Sequence, residues 1–369
     1  MKIVFAMWST KRTGGTNAIF HVADRLSEYG NEITIVSGGA RDFMWFKFKG
    51  HVKFHYPEED LAWHVKLKKQ KFSSVELADF ALKKFNIRID RTKILTNSLN
   101  KYGFDADIII ATYFETALPV YRTICKSCRK FYYIQHFESV FFEDEYNKHR
   151  VHETYFLPLE WIVSSSWANG KLTELTGKTG LVVVPGIDTS IFYPRKVIKD
   201  GTKNVVLSLG KSAKVKGLLV LFKALEKLKN KVPNLKLILY GTEPTVKNNS
   251  PVETEYITAP SNERLAELYS LADVVVTPSF YESSPSPPLE AMACGTPVVT
   301  TREGTEDYCF DGENSIVVPS GDPEAMSNAI FRIIDDKNLA KKLMKNGIEK
   351  AKELSWDKTA EIFRERLKK

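Results

Sequence analysis

Two doubly wound α/β domains are what this sequence predicts, on three observations. Short apolar runs recur along the 369 residues and alternate with stretches of helical period. The runs are continuous rather than alternating, as parallel strands covered on both faces require. The scheme breaks once, at a polar segment bearing Gly and Pro (186–203), and then begins again. The length agrees, since it exceeds one ordinary core and suits two. With 43% hydrophobic and 27% charged residues, the composition is that of a soluble globular chain.

In the first half the strands read KIVFAM (2–7), EITIVS (32–37), VKFHY (52–56), DIIIAT (107–112), FYYIQ (131–135), WIVSS (161–165) and LVVVP (181–185). The helix after the first strand sets Ile19, Val22, Ala23 and Leu26 on one face. In the second half they read NVVLSLG (204–210), LKLILYG (235–241), DVVVTPS (273–279), TPVVTT (296–301) and SIVVPS (315–320). The first helix there carries an apolar stripe of Leu218, Leu219, Phe222, Leu225 and Leu228. Alternating strands and helices imply doubly wound sheets. Such sheets bind ligands beyond the carboxyl ends of their strands, so a cleft between two of them is the expected place for one.

No apolar run reaches the 18 residues a membrane span needs. The opening MKIVFAMWSTKRTGGT is too briefly apolar for a leader and fits a first buried strand. Cys125 and Cys128 form one CxxC without a second pair at metal-ligand spacing. With Cys294 and Cys309 they read as free thiols of a reducing cytosol, zinc or redox chemistry being the alternative. The formal charge is +8, and residues 41–101 hold 14 Lys and Arg against 7 Asp and Glu. That stretch also carries Phe43, Trp45, Phe46, Phe48 and Trp63. It reads either as a patch for an anionic membrane surface or as a solvated helical face. No recognisable nucleic-acid reading module accompanies the charge, so a nucleic-acid partner is not expected.

Four stretches can carry chemistry. TKRTGGTN (10–17) follows strand one and opens helix one; Gly14 and Gly15 let backbone approach a ligand, and the helix start offers N–H groups to a phosphate, although a plain turn explains it equally. GKSAKVKG (210–217) places Lys211 and Lys216 beside a helix start, which suits a diphosphate or simply a lysine-bearing surface turn. SFYESSPSPPLEAM (279–292) lies beyond a strand's carboxyl end, with Glu282 and Glu290 eight apart. Pro287 and Pro288 suit a first helical turn and Ser286 its N-cap. Glu290 then falls in that turn, where the helix dipole alone favours an acid; Glu282 has no such excuse and can accept hydrogen bonds from sugar hydroxyls. His136 follows FYYIQ at another strand's carboxyl end, a place where a lone histidine is more often structural. Asp105 and Asp107 form an Asp-x-Asp, but at a strand's amino end, and read as a turn.

At these residues the chain resembles the family 4 glycosyltransferases. ADVVVTPSFYESSPSPPLEAMACGTPVV matches their Glu-x7-Glu segment, GKSAKVKG their Gly-Arg-x4-Lys-Gly, and GGT their amino-terminal glycine loop. VSSSWANGKL and VVPGIDTSIFYP match the usual end of the first domain, and SWDKTAEIFRERLKK the carboxyl-terminal helix that crosses back to it. IIIATYFETALPVY and KFYYIQHFESVFF are more loosely similar to bacterial polysaccharide rhamnosyltransferases.

The resemblance implies the GT-B architecture: two Rossmann-like domains, 1–190 on the acceptor side and 191–352 binding the nucleotide sugar, facing across a cleft, with 353–369 as the returning helix. It implies retaining transfer of a hexosyl or deoxyhexosyl group from a nucleotide-diphosphate sugar to a glycan or lipid-linked acceptor, with no metal and no further cofactor. Lys216 would bind the diphosphate with Lys211, Gly14 and Gly15. Glu290 would hold the ribose, Glu282 with Ser283, Ser284 and Ser286 the donor sugar, and His136 would meet that sugar from the other domain. Glu282, His136 and Lys216 are the expected catalytic residues, in a protein of the cytoplasm or of the membrane's inner face. Fixed cations and N–H dipoles suit this chemistry because charge develops on the departing diphosphate. Two departures stand out. Lys211 replaces an arginine and loses its bidentate geometry. Ser283, Ser284 and Pro285 replace Gly-Phe-Gly, and Pro285 has no N–H to give. A non-catalytic GT-B partner of another transferase is the alternative, and a sugar-nucleotide epimerase a more distant one.

Overall fold

The computed structural model describes residues 1–39, 41, 43–57, 90–199 and 201–369. It divides into two compact units, Met1–Val183 with Thr359–Lys369, and Val184–Lys358.

Along the first unit run β1 (Lys2–Met7), α1 (Gly14–Glu28), β2 (Glu32–Ser37), β3 (Val52–His55), α2 (Arg91–Tyr102), β4 (Ile108–Ala111), α3 (Phe114–Arg122), β5 (Arg129–Ile134), a 3-10 turn (Glu138–Phe141), α4 (Glu145–Tyr155), β6 (Glu160–Val163), α5 (Ser166–Thr176) and β7 (Leu181–Val182). Its strands are all parallel among the described residues, in the order β3-β2-β1-β4-β5-β6-β7. The second unit runs β8 (Asn204–Leu209), a 3-10 turn (Lys214–Lys216), α6 (Leu218–Leu228), β9 (Leu235–Gly241), β10 (Glu253–Thr258), α7 (Asn262–Leu271), β11 (Val274–Thr277), α8 (Ser286–Ala293), β12 (Val298–Thr301), β13 (Ile316–Val318), α9 (Pro323–Asp335) and α10 (Lys337–Glu353). Its parallel order is β10-β9-β8-β11-β12-β13. A last helix, α11 (Trp356–Lys368), enters the first unit from Thr359 on.

In both sheets the strand order reverses at one point, between β1 and β4 and between β8 and β11. The apolar runs explain the two-sided burial. Val206, Leu237, Leu239, Val274 and Val276 join one core layer of the second unit, while their neighbours Val205, Leu207, Ile238, Tyr240 and Val275 join another. Seven helices start at Thr13, Asp90, Asp144, Ser165, Ser261, Asp322 and Asp336, whose side chains accept from N–H groups two or three residues on. Phe363 of α11 is fully buried, its ring 5.2 Å from that of Tyr133, and Arg366 lies 3.3 Å from Glu160.

Several expectations need correction. Leu219 points outward, 66% exposed, and Leu221 and Ala224 take its place in the buried stripe of α6. Segment 186–203 is no free linker: Ile187 and Phe192 are buried in a core layer of the second unit, and Ile187 N–H donates to Leu354 O. β7 stops after two residues of LVVVP, because Val183 N–H still reaches Val163 O but Pro185 has no N–H to offer. Cys125 and Cys128 are joined in a disulfide, not free; their Cα atoms stand 5.9 Å apart, within bridging reach. Cys294 and Cys309 are free and buried.

The aromatic patch is mostly half-buried. Trp45, Phe46 and Phe48 pack on Phe20 of α1, with ring centroids 5.1 to 5.6 Å apart, and only Phe43 of the four is largely exposed, at 91%. Trp63 and the lysines of 58–89 lie outside the described residues. None of the described helices is long and apolar enough to cross a membrane. Asp107 sits at the amino edge of the first sheet, where its carboxylate accepts from Lys2 N–H at 2.7 Å. Among the described residues no group of three or more His, Cys, Asp or Glu is placed to hold a metal ion.

Candidate functional site

In the second unit the candidate residues gather at the carboxyl ends of β8 and β11, the two strands that flank the reversal. The loop after β8 ends in the turn Lys214–Lys216, and Gly217 then adopts φ +65° before α6 begins. A Cβ at Gly217 would stand 1.9 Å from Pro278 O, so only glycine fits. The loop after β11 is tied to it by Phe280 N–H donating to Val215 O at 2.8 Å. This close approach delivers Lys216 Nζ to Glu282 Oε1 in an ion pair, with both side chains three-quarters or more covered. Ser279 Oγ donates to the same oxygen at 3.0 Å.

The serine stretch is held from its other side by the loop after β12. Glu282 N–H donates to Glu303 O and Ser284 N–H to Gly304 O, at 3.2 and 3.0 Å. Ser283 is buried, while Ser284 adopts φ +91°, a backbone conformation that costs a side-chain-bearing residue about 1–3 kcal/mol. Lys211 opens the β8 loop beside Ser212, whose N–H and hydroxyl both donate to Glu243. Those two hydrogen bonds, with Lys211 nearby, hold the Glu243 carboxyl below its usual range.

Glu290 stands apart from this pair. Helix α8 is entered from Pro285 and begins at Ser286, so Ser286 is an exposed first-turn residue and not the N-cap. Glu290 therefore lies in the second turn, beyond the reach of the simple dipole explanation. Its Oε2 accepts from Tyr269 OH at 2.7 Å, and Tyr269 OH meets Tyr240 OH at 2.9 Å. Burial pushes the Glu290 carboxyl up to about 7, the Tyr269 bond opposing it.

In the first unit, Thr13 caps α1 through Thr16 N–H, leaving Gly14 and Gly15 as its first two residues. A Cβ at Gly15 would lie 3.1 Å from Gln135 Oε1, while the space around Gly14 is open. His136 follows Gln135; its Nδ1 lies 3.3 Å from Phe137 O, and its ring is 4.6 Å from Phe141 and 5.6 Å from Trp167. Gly15 and His136 thus share the carboxyl edge of the first sheet.

Sequence reasoning missed Ser279, Tyr269, Tyr240 and Glu138. Ser279 stands in the quoted loop and could have been found as a hydroxyl three residues before the glutamate. Tyr269 and Tyr240 lie 21 and 50 residues before Glu290 and carry no local signal. Glu138 is a carboxylate within an otherwise aromatic run, FESVFF, which is a signal of its own.

The fold and this edge of charged and glycine-bearing loops define a class: two Rossmann-like α/β units of the GT-B kind. The family model described as glycosyl transferases group 1 matches residues 190–350. The D-inositol 3-phosphate glycosyltransferase of Acidothermus cellulolyticus is 29% identical, over 56% of this chain and 53% of that protein. The MMP alpha-(1->4)-mannosyltransferase of Mycolicibacterium hassiacum is 32% identical, over 54% and 51%. The chain thus spans about half the length of the curated relatives it matches. Among solved structures, Anabaena HepE in complex with UDP-glucose superposes with a TM-score of 0.73 at 15% identity, over 100% of this chain and 99% of that one. A mutant of Staphylococcus aureus TarM superposes with a TM-score of 0.76 at 13% identity, over the whole of both chains. These likenesses place the fold.

Proposed function

We propose that the protein is a retaining, metal-independent glycosyltransferase that moves a hexosyl or deoxyhexosyl group from a nucleotide-diphosphate sugar to a glycan or lipid-linked acceptor of the cell surface. The observation that carries this reading is the Lys216–Glu282 pair beyond β8 and β11. A lysine paired with a carboxylate can turn to an arriving diphosphate, freeing Glu282 for sugar hydroxyls. Breaking the glycosyl–phosphate bond then puts charge on an oxygen next to a fixed cation and a helix start. Lys211, Gly14 and Gly15 assist at the diphosphate, Glu290 takes the ribose hydroxyls, and Ser283, Ser284 and Ser286 line the sugar. His136 is assigned to the donor sugar. The relatives named as a D-inositol 3-phosphate glycosyltransferase and a mannosyltransferase, and the solved neighbour holding UDP-glucose, support a sugar-nucleotide donor. The excess positive charge of 41–101 supports work at the inner face of a membrane.

The test is a panel of UDP-, GDP- and dTDP-sugars, read by thermal shift and by slow donor hydrolysis. One donor is expected to stabilise the protein and be hydrolysed, and Lys216→Ala to lower that turnover about a hundredfold. Absence of stabilisation by every nucleotide and nucleotide sugar overturns the reading. The serine-proline loop motivates a second one, a non-catalytic partner of another transferase, for which nucleotide would bind without turnover.

A further inference from the structure

Glu138 is 2% exposed, in the short turn that follows β5. Its Oε2 accepts from Phe114 N–H at 2.8 Å and from Tyr132 OH at 3.0 Å. Its own N–H donates to Tyr155 OH at 2.9 Å. Phe114 is the first residue of α3, Tyr132 lies in β5 and Tyr155 ends α4. One residue therefore ties three elements together at the carboxyl edge of the sheet. A buried carboxylate held by neutral donors is expensive, and burial pushes this one up to about 8. Plain core packing would be served more cheaply by an apolar residue of similar size. Phe137, the residue before it, stacks on Tyr155 at 5.9 Å, and Phe142, just past the turn, packs edge-on against Phe114 at 5.7 Å. Segment 136–142 is thus anchored in the middle and beyond, with His136 at its head.

We propose that Glu138 is a positioning residue: by binding the start of α3 and the β5 tyrosine, its carboxyl group fixes the His136 imidazole where the strand edge presents it. This deepens the functional reading and rests on its assignment of His136 to the donor sugar. The three-way tie accounts for a carboxylate in an aromatic run. It also predicts that losing the carboxyl group loosens the imidazole more than it loosens the fold.

The experiment compares Glu138→Gln with the wild type in the full chain. Transfer or donor hydrolysis is expected to lose tenfold or more in kcat, with KM for the donor within twofold and nucleotide binding retained. Independently of activity, the His136 C2–H resonance, assigned with a His136→Asn variant, is expected to move and to titrate with a shifted midpoint. Tyr132→Phe removes one donor to the carboxylate and is expected to give a smaller loss in the same direction; it decides the matter should the glutamine variant fail to fold. Wild-type kcat together with an unmoved His136 resonance in the folded variant overturns the proposal. A wild type without any transferase or hydrolase activity would instead remove the functional reading, while the resonance would still judge Glu138.

Discussion

A carboxylate under a phenol sets the residue-scale behaviour of the second unit. Glu290 is pushed up to about 7, so near neutral pH it passes between acid and carboxylate. In the proposed ribose role, the carboxylate accepts from a ribose hydroxyl and from Tyr269 OH more strongly than the neutral acid does. Nucleotide affinity is therefore expected to fall about tenfold from pH 8 to pH 6, as the ionised fraction falls. Titration calorimetry on the wild type and Glu290→Gln checks this. The variant should bind more weakly at pH 8 and lose the part of the pH slope that belongs to the protein rather than to the ligand's phosphate. Equal slopes would remove Glu290 from the ribose site. At this scale the sequence was informative where residues are close along the chain. Glu282 and Lys216 could be placed at one edge, though not as an ion pair, because each stands in a loop after a strand, and parallel strands bring such loops together. The chain of Tyr240, Tyr269 and Glu290 was hidden, since its members come from different elements and touch only once those pack. Ser286 was misplaced as a cap because Pro285 already supplies the extended entry to α8.

The elements obey the same division between local and distant causes. Continuous apolar strands were legible almost to the residue: KIVFAM, EITIVS and LKLILYG are β1, β2 and β9 without change. The strand missed altogether is β10, ETEYIT, which sits at a sheet edge with its residues half or fully exposed. An edge strand needs no apolar run and is safer with charges, so hydrophobic periodicity cannot find it. The loop–helix junction at Gly217 yields an element-scale prediction. Gly217→Ala forces a Cβ into Pro278 O, in a conformation alanine avoids, so the β8 and β11 loops must part. A loss on the order of 2 kcal/mol or more is expected, seen as a lower melting temperature of the second unit. Because those loops carry Lys216 and Glu282, donor stabilisation should vanish with it. An alanine variant with wild-type melting and donor response would show that the junction does not hold the pair.

For the whole molecule, Glu138 and Glu290, the described acids that burial raises most, weigh heavily on how stability follows pH. Glu138 and Glu290 ionise at about 8 and about 7 when folded, against about 4.5 in an open chain. Between those limits the folded protein holds more protons than the unfolded one, so stability falls as pH rises from roughly 5 to 8. The exposed acids held low, such as Glu32 and Glu324, act in the opposite sense but only at more acidic pH. Scanning calorimetry at pH 5.5 and 8.5 should therefore show earlier unfolding at the higher pH, by a few kcal/mol, and Glu138→Gln should narrow the gap. An unchanged gap would mean that the buried glutamate is solvated in a way its contacts do not suggest. The two-unit plan was readable from repetition alone, whereas the grouping of residues 184–190 and 353–358 with the second unit was not, because Ile187 and Leu354 find each other only in space. The last helix has a consequence for biosynthesis. Phe363 completes the packing around Tyr133, yet it is made more than two hundred residues later. A ribosome releases the first sheet long before the piece that closes it, while everything needed for the second sheet emerges in between. The amino-terminal half is thus born first and finished last, and a premature stop near residue 358 would damage the half already synthesised rather than the one just completed.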